Sequence, residues 1–191
     1  MAQIGLKNFY YATCTVDDSD PDSVESYDTP TKIGHAVSVD INPEIQNISL
    51  YGDDMAVATD SSMKEVTVTI ETTDIPISDL AVILGHDASG DGYTAKMTDS
   101  PPYVALLFES QKLDGGIRCV QLVKGKFSLT QETINTKGEN MEYQVPKLTG
   151  KFVARKDGVW KVVKDYAKDS STEDWYQSVV ESSGSGGGLG G

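Results

Sequence analysis

Cysteine and histidine are scarce in this chain of 191 residues, which has two of each: Cys14, Cys119, His35 and His86. Two thiols make no disulfide framework, and they read as reduced thiols of a protein made in a reducing compartment. A zinc site takes three or four such ligands, so composition argues against one. Basic residues are short as well. Sixteen Lys and Arg stand against 29 Asp and Glu, a net charge of −13. A nucleic-acid binder needs a basic footprint, and docking on an anionic membrane needs basic clusters; neither is present. No run approaches the roughly 18 apolar residues of a transmembrane helix. The opening MAQIGLKNFYYATC lacks the apolar core and cleavage site of a signal peptide.

Catalytic signatures are also missing. No serine sits in a G-x-S-x-G elbow, and no phosphate-binding glycine motif follows a strand. The terminal glycines, in SSGSGGGLGG at 182–191, have the composition of a flexible linker, either a natural frayed end or a leftover of cloning. Six acids fall within Asp17–Asp28. Asp18, Asp20 and Asp22 have the spacing of a calcium loop's first ligands, but Ser23 replaces its glycine and Thr29 its closing glutamate. In Asp87–Gly92 the glycine is in place and the glutamate is again missing, with Thr98 at the closing position. Both runs read as solvated acidic loops. Cys14 reads as a buried inert thiol. His35 and His86 read as structural or solvent-exposed, for want of an orienting partner nearby. No catalytic residue, metal ligand or cofactor is assigned.

What is present is an average globular composition, 38% hydrophobic and 24% charged, enough for one real core. Its patterning is that of strands. In KIGHAVSVDIN, Val37, Val39 and Ile41 alternate with polar residues. Val66, Val68 and Ile70 do the same against Glu65, Thr67, Thr69 and Glu71, with the β-branched content a pleated sheet favours. YVALLFE at 103–109 is a nearly continuous apolar run, as in a strand buried on both faces. Further strands are expected at 117–122, 126–130, 141–155 and 159–163, with turns at LDGG (113–116) and Lys156-Asp157-Gly158. One helix is expected at Ile77–His86: Pro76 precedes it, Ser78 can cap it, Asp79 sits in its first turn and Gly85 can stop it. A short helix over 172–181, capped by Thr172, is a second candidate. Pro43–Met63 shows no sustained period, yet Ile45, Ile48, Leu50, Tyr51, Met55 and Val57 make it too apolar for a solvated linker. It is expected to form a long hairpin arm that orders against a neighbour. Strands at intervals of about ten residues suggest a mainly β sandwich or barrel.

The order IGLKNFYYA (4–12), KIGHAVSVDINPE (32–44), LYGDDMA (50–56) and EVTVTIETTDIP (65–76), followed by the helix, resembles the major tail protein of siphovirus-type, long-tailed bacteriophages. GIRCVQLVKGKF (116–127), LTGKFVAR (148–155) and DWYQSVV (174–180) extend the resemblance over roughly residues 3–180. It implies a tail-tube fold: a β-sandwich with one flanking helix and a long loop reaching a neighbouring ring. It implies a structural virion protein with no enzymatic activity, made in the host cytoplasm. Six copies would close into a ring whose inner sheets join as one barrel, and rings would stack into a conduit for DNA ejection. Implied partners are further copies of the chain, the tape-measure protein, the tail terminator and the distal tail or baseplate proteins; DNA would pass without specific binding, and no membrane is involved.

On this reading residues 1–181 are the tube domain, with an acidic loop at 17–28 and the arm at 43–63. Inter-subunit contacts are expected from Ile48, Leu50, Tyr51, Asp53 and Met55 on the arm, from Phe9 and Tyr10, and from Trp175 and Tyr176. The net acidity suggests a lumen that repels phosphate. The competing reading is a β-sandwich binding module for a host surface or carbohydrate, for which Tyr10, Tyr11, Tyr93, Tyr103, Trp160 and Trp175 would supply aromatics.

Overall fold

A computed structural model describes residues 3–17, 25–52, 55–128 and 146–180. It is mainly β. The strands are β1 (Gln3–Val16), β2 (Ser26–Tyr27), β3 (Thr31–Lys32), β4 (Ala36–Gly52), β5 (Met55–Thr72), β6 (Asp87–Ser89), β7 (Gly92–Thr94), β8 (Val104–Lys112), β9 (Ile117–Ser128), β10 (Lys147–Val153) and β11 (Lys161–Tyr166), with helix α1 (Ile77–Leu84) between β5 and β6. All pairings among them are antiparallel.

Strand β9 organises the sandwich. Its first half, Ile117–Leu122, lies between β8 and β11, while Lys124–Ser128 pairs with β10. One layer therefore runs β1–β8–β9–β11, with β2 and β3 on the outer edge of β1. The other runs β9–β10–β5–β4. The core fills the space between: Phe9, Leu106, Phe108 and Val120 from the first layer meet Val66, Val68, Ile70, Leu148 and Phe152 from the second. Each such side chain contributes about 1.5–3 kcal/mol by leaving water. The near-continuous apolar run of β8 is buried on both faces, because its odd positions Ala105 and Leu107 join a second cluster with Ala12, Cys119, Trp175 and Val179.

Where β9 crosses between layers, two glycines lie beneath two rings. Phe152 is opposite Gly125 and Phe127 opposite Gly150, and the rings meet edge to face at 5.8 Å. A methyl on Gly125 would come within 2.4 Å of the Phe152 ring.

Several expectations need correction. The helix is capped differently: Pro76 holds the N-cap position and no side chain caps it, so Ser78 is not the cap, while Gly85 closes the helix in the left-handed conformation as expected. Val37 does not share a face with Val39 and Ile41. A bulge falls between Ala36 and Ser38, leaving Val37 46% exposed while Ala36, Val39 and Ile41 pack on the core. Strands expected at 117–122 and 126–130 are one strand. The C-terminal helix is a single 3₁₀ turn, Glu173–Tyr176, without a side-chain cap from Thr172. Glu25, read as part of a solvated loop, is buried beside the Arg155 guanidinium, with Nε 3.5 Å from its carboxylate. Residues 18–24, 129–145 and 181–191 lie outside the described residues, as do the first calcium candidate, the start of the 141–155 strand and the glycine tail. Among the described residues no helix is long and apolar enough to cross a membrane.

Candidate assembly surface

The segment without a readable period is a hairpin. Pairing of β4 with β5 is carried from Ala36↔Thr72 to Gly52↔Met55, with bulges after Glu44 and Leu50. Strand β10 accompanies β5 only as far as Val66. Beyond that point Ile45–Gly52 and Met55–Met63 pair with each other alone. At about 3.3 Å per residue, eight residues reach roughly 26 Å. Isolated two-stranded ribbons are marginal in water, and this one begins with Ile45, 64% exposed. Ile48 pairs with Asp60, Leu50 with Ala58, Tyr51 with Ala56 and Met55 with Gly52, so four expected contact residues lie on its paired strands. Asp53 lies outside the described residues.

The outer face of the β9–β10–β5–β4 layer is polar and graded in charge. Registers place Asn42, Thr67, Lys151 and Lys126 in one row across the four strands, and Asp40, Thr69, Thr149 and Ser128 in the next. Ser38, Glu71 and Lys147 form a third, and Glu44 faces Glu65. Strands β4 and β5 therefore carry only acids here, and β10 and β9 only lysines. The two central strands neutralise each other: Lys151 bonds Glu65 at 2.5 Å and Lys147 lies 3.4 Å from Glu71. The Lys151 hydrogen bond holds the Glu65 carboxyl below its usual range.

The terminal candidates separate. Phe9 is fully buried in the core and Trp175 is buried in the second cluster, so neither side chain offers itself to a neighbour; each holds its own segment down. Tyr10 and Tyr176 are half-buried and stacked, with centroids 4.4 Å apart. Beneath them the buried Glu109 carboxylate accepts hydrogen bonds from Asn8 Nδ2 (2.9 Å), Thr172 Oγ1 (3.0 Å) and Tyr176 OH (3.2 Å), tying β1, β8 and the C-terminal segment together. Burial, then the charge of Glu109, pushes the neighbouring Cys119 thiol up to about 12.

Catalytic chemistry gains little. No cluster of three metal-ligating side chains occurs among the described residues. In the second calcium candidate Asp87 is paired with Lys96 across the β6–β7 hairpin. His86 does have the orienting partner its sequence neighbourhood did not show: Nδ1 is 2.7 Å from Asp99 Oδ2, and the ring stacks on Tyr93. The Lys96 backbone N–H, then His86, hold the Asp99 carboxyl below its usual range. The pair fastens the 87–102 loop to the end of α1. Of the aromatics that a glycan platform would use, Tyr11 and Trp175 are buried and Trp160 packs on the core.

In the sequence the arm is marked by its apolar content and the polar positions of β5 by alternation. The charge gradient and the Glu109 tie have no mark in the sequence, because both depend on which strands become neighbours. A family model described as phage tail tube protein matches residues 37–181. No curated protein matches the chain.

Proposed function

The chain belongs to the phage tail tube protein family, a structural and non-enzymatic component of the virion tail, and from that premise we propose that it closes into hexameric rings that stack into the tube through which DNA leaves a siphovirus-type particle. The observation that carries this reading is the arm. A two-stranded ribbon about 26 Å long, leaving the sandwich with an exposed isoleucine at its root, needs a surface to lie on. A neighbouring ring supplies one, and Ile48, Leu50, Tyr51, Asp53 and Met55 are the residues that would contact it. Ring contacts between identical copies are head-to-tail, and stacking repeats a second such contact along the axis. Closure also removes open sheet edges, of which β4 is the longest. The half-buried Tyr10–Tyr176 stack is a further contact candidate. The tube's interior would hold a tape-measure protein before DNA, and its ends would meet the terminator and distal tail proteins, after synthesis in the host cytoplasm.

Negative-stain microscopy of the purified chain tests the proposal. Rings or tubes with sixfold symmetry are expected. A strict monomer at high concentration would overturn it. Deleting residues 46–60 separates the arm's part: stacking should be lost while the sandwich stays folded, and normal tubes from the deleted chain would refute the arm assignment.

A further inference from the structure

We propose that the charge gradient across the β9–β10–β5–β4 layer is a head-to-tail recognition device, in which Asp40 and Glu44 on β4 of one copy pair with Lys126 on β9 of the next. The inference rests on the ring reading above, which supplies a second copy of this chain as the occupant.

Three observations converge. First, among the described residues neither end of the layer has a further strand beside it. Strand β4 is the last in its sheet. On β9, residues Lys126–Ser128 pair with β10 on one side, while β8 begins only at Val104, opposite Gly125, so among the described residues no strand lies on the other side. Second, the polarity is right. The layer has four antiparallel strands, and an even number preserves alternation. A copy related by rotation therefore presents β9 antiparallel to β4, and the sheet can run on without a parallel break. Third, the charges left over are opposite. Pairs between β5 and β10 use up the inner acids and lysines. Lys124 bonds Asp17 at 2.5 Å. Asp40 and Glu44 are exposed and form no ion pair within 4.0 Å among the described residues, Glu44 feeling only the more distant charge of Lys151. Lys126 lies on the same face, its ammonium 4.3 Å from the centre of the Tyr103 ring, and has no carboxylate partner among the described residues.

In the antiparallel register that sets Lys126 opposite Asn42, Asp40 and Glu44 are its two diagonal neighbours, within reach of a long side chain. Pairing any other way round sets acid against acid or lysine against lysine. Like charges directly opposite are destabilising, so the gradient selects head-to-tail over head-to-head contact.

Charge reversal gives a test with two arms. The Lys126→Glu chain alone has acids on both edges, and the Asp40→Lys/Glu44→Lys chain alone has lysines on both. Neither should form rings. Mixed in equal amounts they should co-assemble alternately, because every seam then has opposite charges, and microscopy and light scattering should recover at least half the unaltered chain's assembly. Circular dichroism and melting confirm that each variant is folded. Should either fail to fold, the neutral Lys126→Gln and Asp40→Asn/Glu44→Gln chains replace them, with assembly expected to slow several-fold and to lose its sensitivity to salt. Normal tubes from both reversed variants alone, or no recovery on mixing folded variants, would overturn the seam. Failure of the unaltered chain to form rings would instead overturn the ring reading.

Discussion

Gly125 provides a quantitative test of the core. In a strand interior, glycine is generally worse than alanine by about 0.5–1 kcal/mol, because it loses more backbone freedom on folding. Its backbone is not in the left-handed region, so Gly125→Ala would stabilise an uncrowded site. This site is crowded. The new methyl would stand 2.4–2.5 Å from three ring carbons of Phe152. That ring cannot withdraw, being fully buried and set edge-on against Phe127. Overpacking of this kind costs typically about 1–3 kcal/mol. The balance is a net loss of up to about 2.5 kcal/mol, which at roughly 2–4 °C per kcal/mol for a chain of this size lowers Tm by up to about 10 °C. Scanning calorimetry or urea denaturation reads it. Gly92→Ala is the control, since its nearest neighbour would be Ser89 O at 4.0 Å; it should be neutral or raise Tm slightly. A double variant with Phe152→Leu should be less destabilised than the two single effects summed. Strict additivity, or a rise in Tm on Gly125→Ala, would refute the claim that the ring and the glycine fix the β9 crossover together.

Arg155→Met should cost about 3 kcal/mol or more, seen as a large fall in urea midpoint, because it leaves Glu25 buried without the guanidinium and removes the Nη1 bond to the Val180 carbonyl. Bidentate bonding from Arg118, then Lys112, holds the Asp165 carboxyl well below its usual range. That contribution is therefore present above the ordinary carboxylate value of about 4 and is lost as pH falls below it; Asp165→Asn should flatten the drop in Tm between pH 5 and 2. Cys119, fully buried with its thiol pushed up to about 12, should resist iodoacetamide at pH 8 until the chain unfolds, and peptide mass mapping of Cys119 checks it.

Local order was legible wherever it was set by local residues. Strand β5 announces itself through Val66, Val68 and Ile70, and α1 through Pro76 and Gly85. The arm was legible only by its misfit, as an apolar segment with no period. Its bulges after Glu44 and Leu50 shift the alternation that a strand would show. The Val37 bulge hid in the same way: a regular sequence pattern gives no sign of an extra residue, which is fixed by the partner strand. Phe9 and Trp175 read as contact residues because large aromatics favour interfaces as well as cores, and only their packing, Phe9 in the main core and Trp175 in the second cluster, separates the two. The Glu109 tie joins residues 8, 109, 172 and 176, and no spacing in sequence marks such a set.

The net charge of −13 takes on a different meaning once the strands are in place. Read from composition, it suggests a lumen that repels phosphate. The polar face of the four-strand layer carries little of that excess: Asp40, Glu44, Glu65 and Glu71 stand against Lys126, Lys147 and Lys151, with Thr, Ser and Asn rows between them, while Lys124 pairs with Asp17. Attraction of a duplex depends on cations that can displace its counterions. A lysine already held by a carboxylate is poorly placed to do so. Lys151, Lys147 and Lys124 are each paired within the chain. Lys126 is the exception among these four, and the proposed seam gives it Asp40 and Glu44 of the next copy. If this face lines the channel of the proposed tube, the seam leaves none of these four lysines free to hold a duplex.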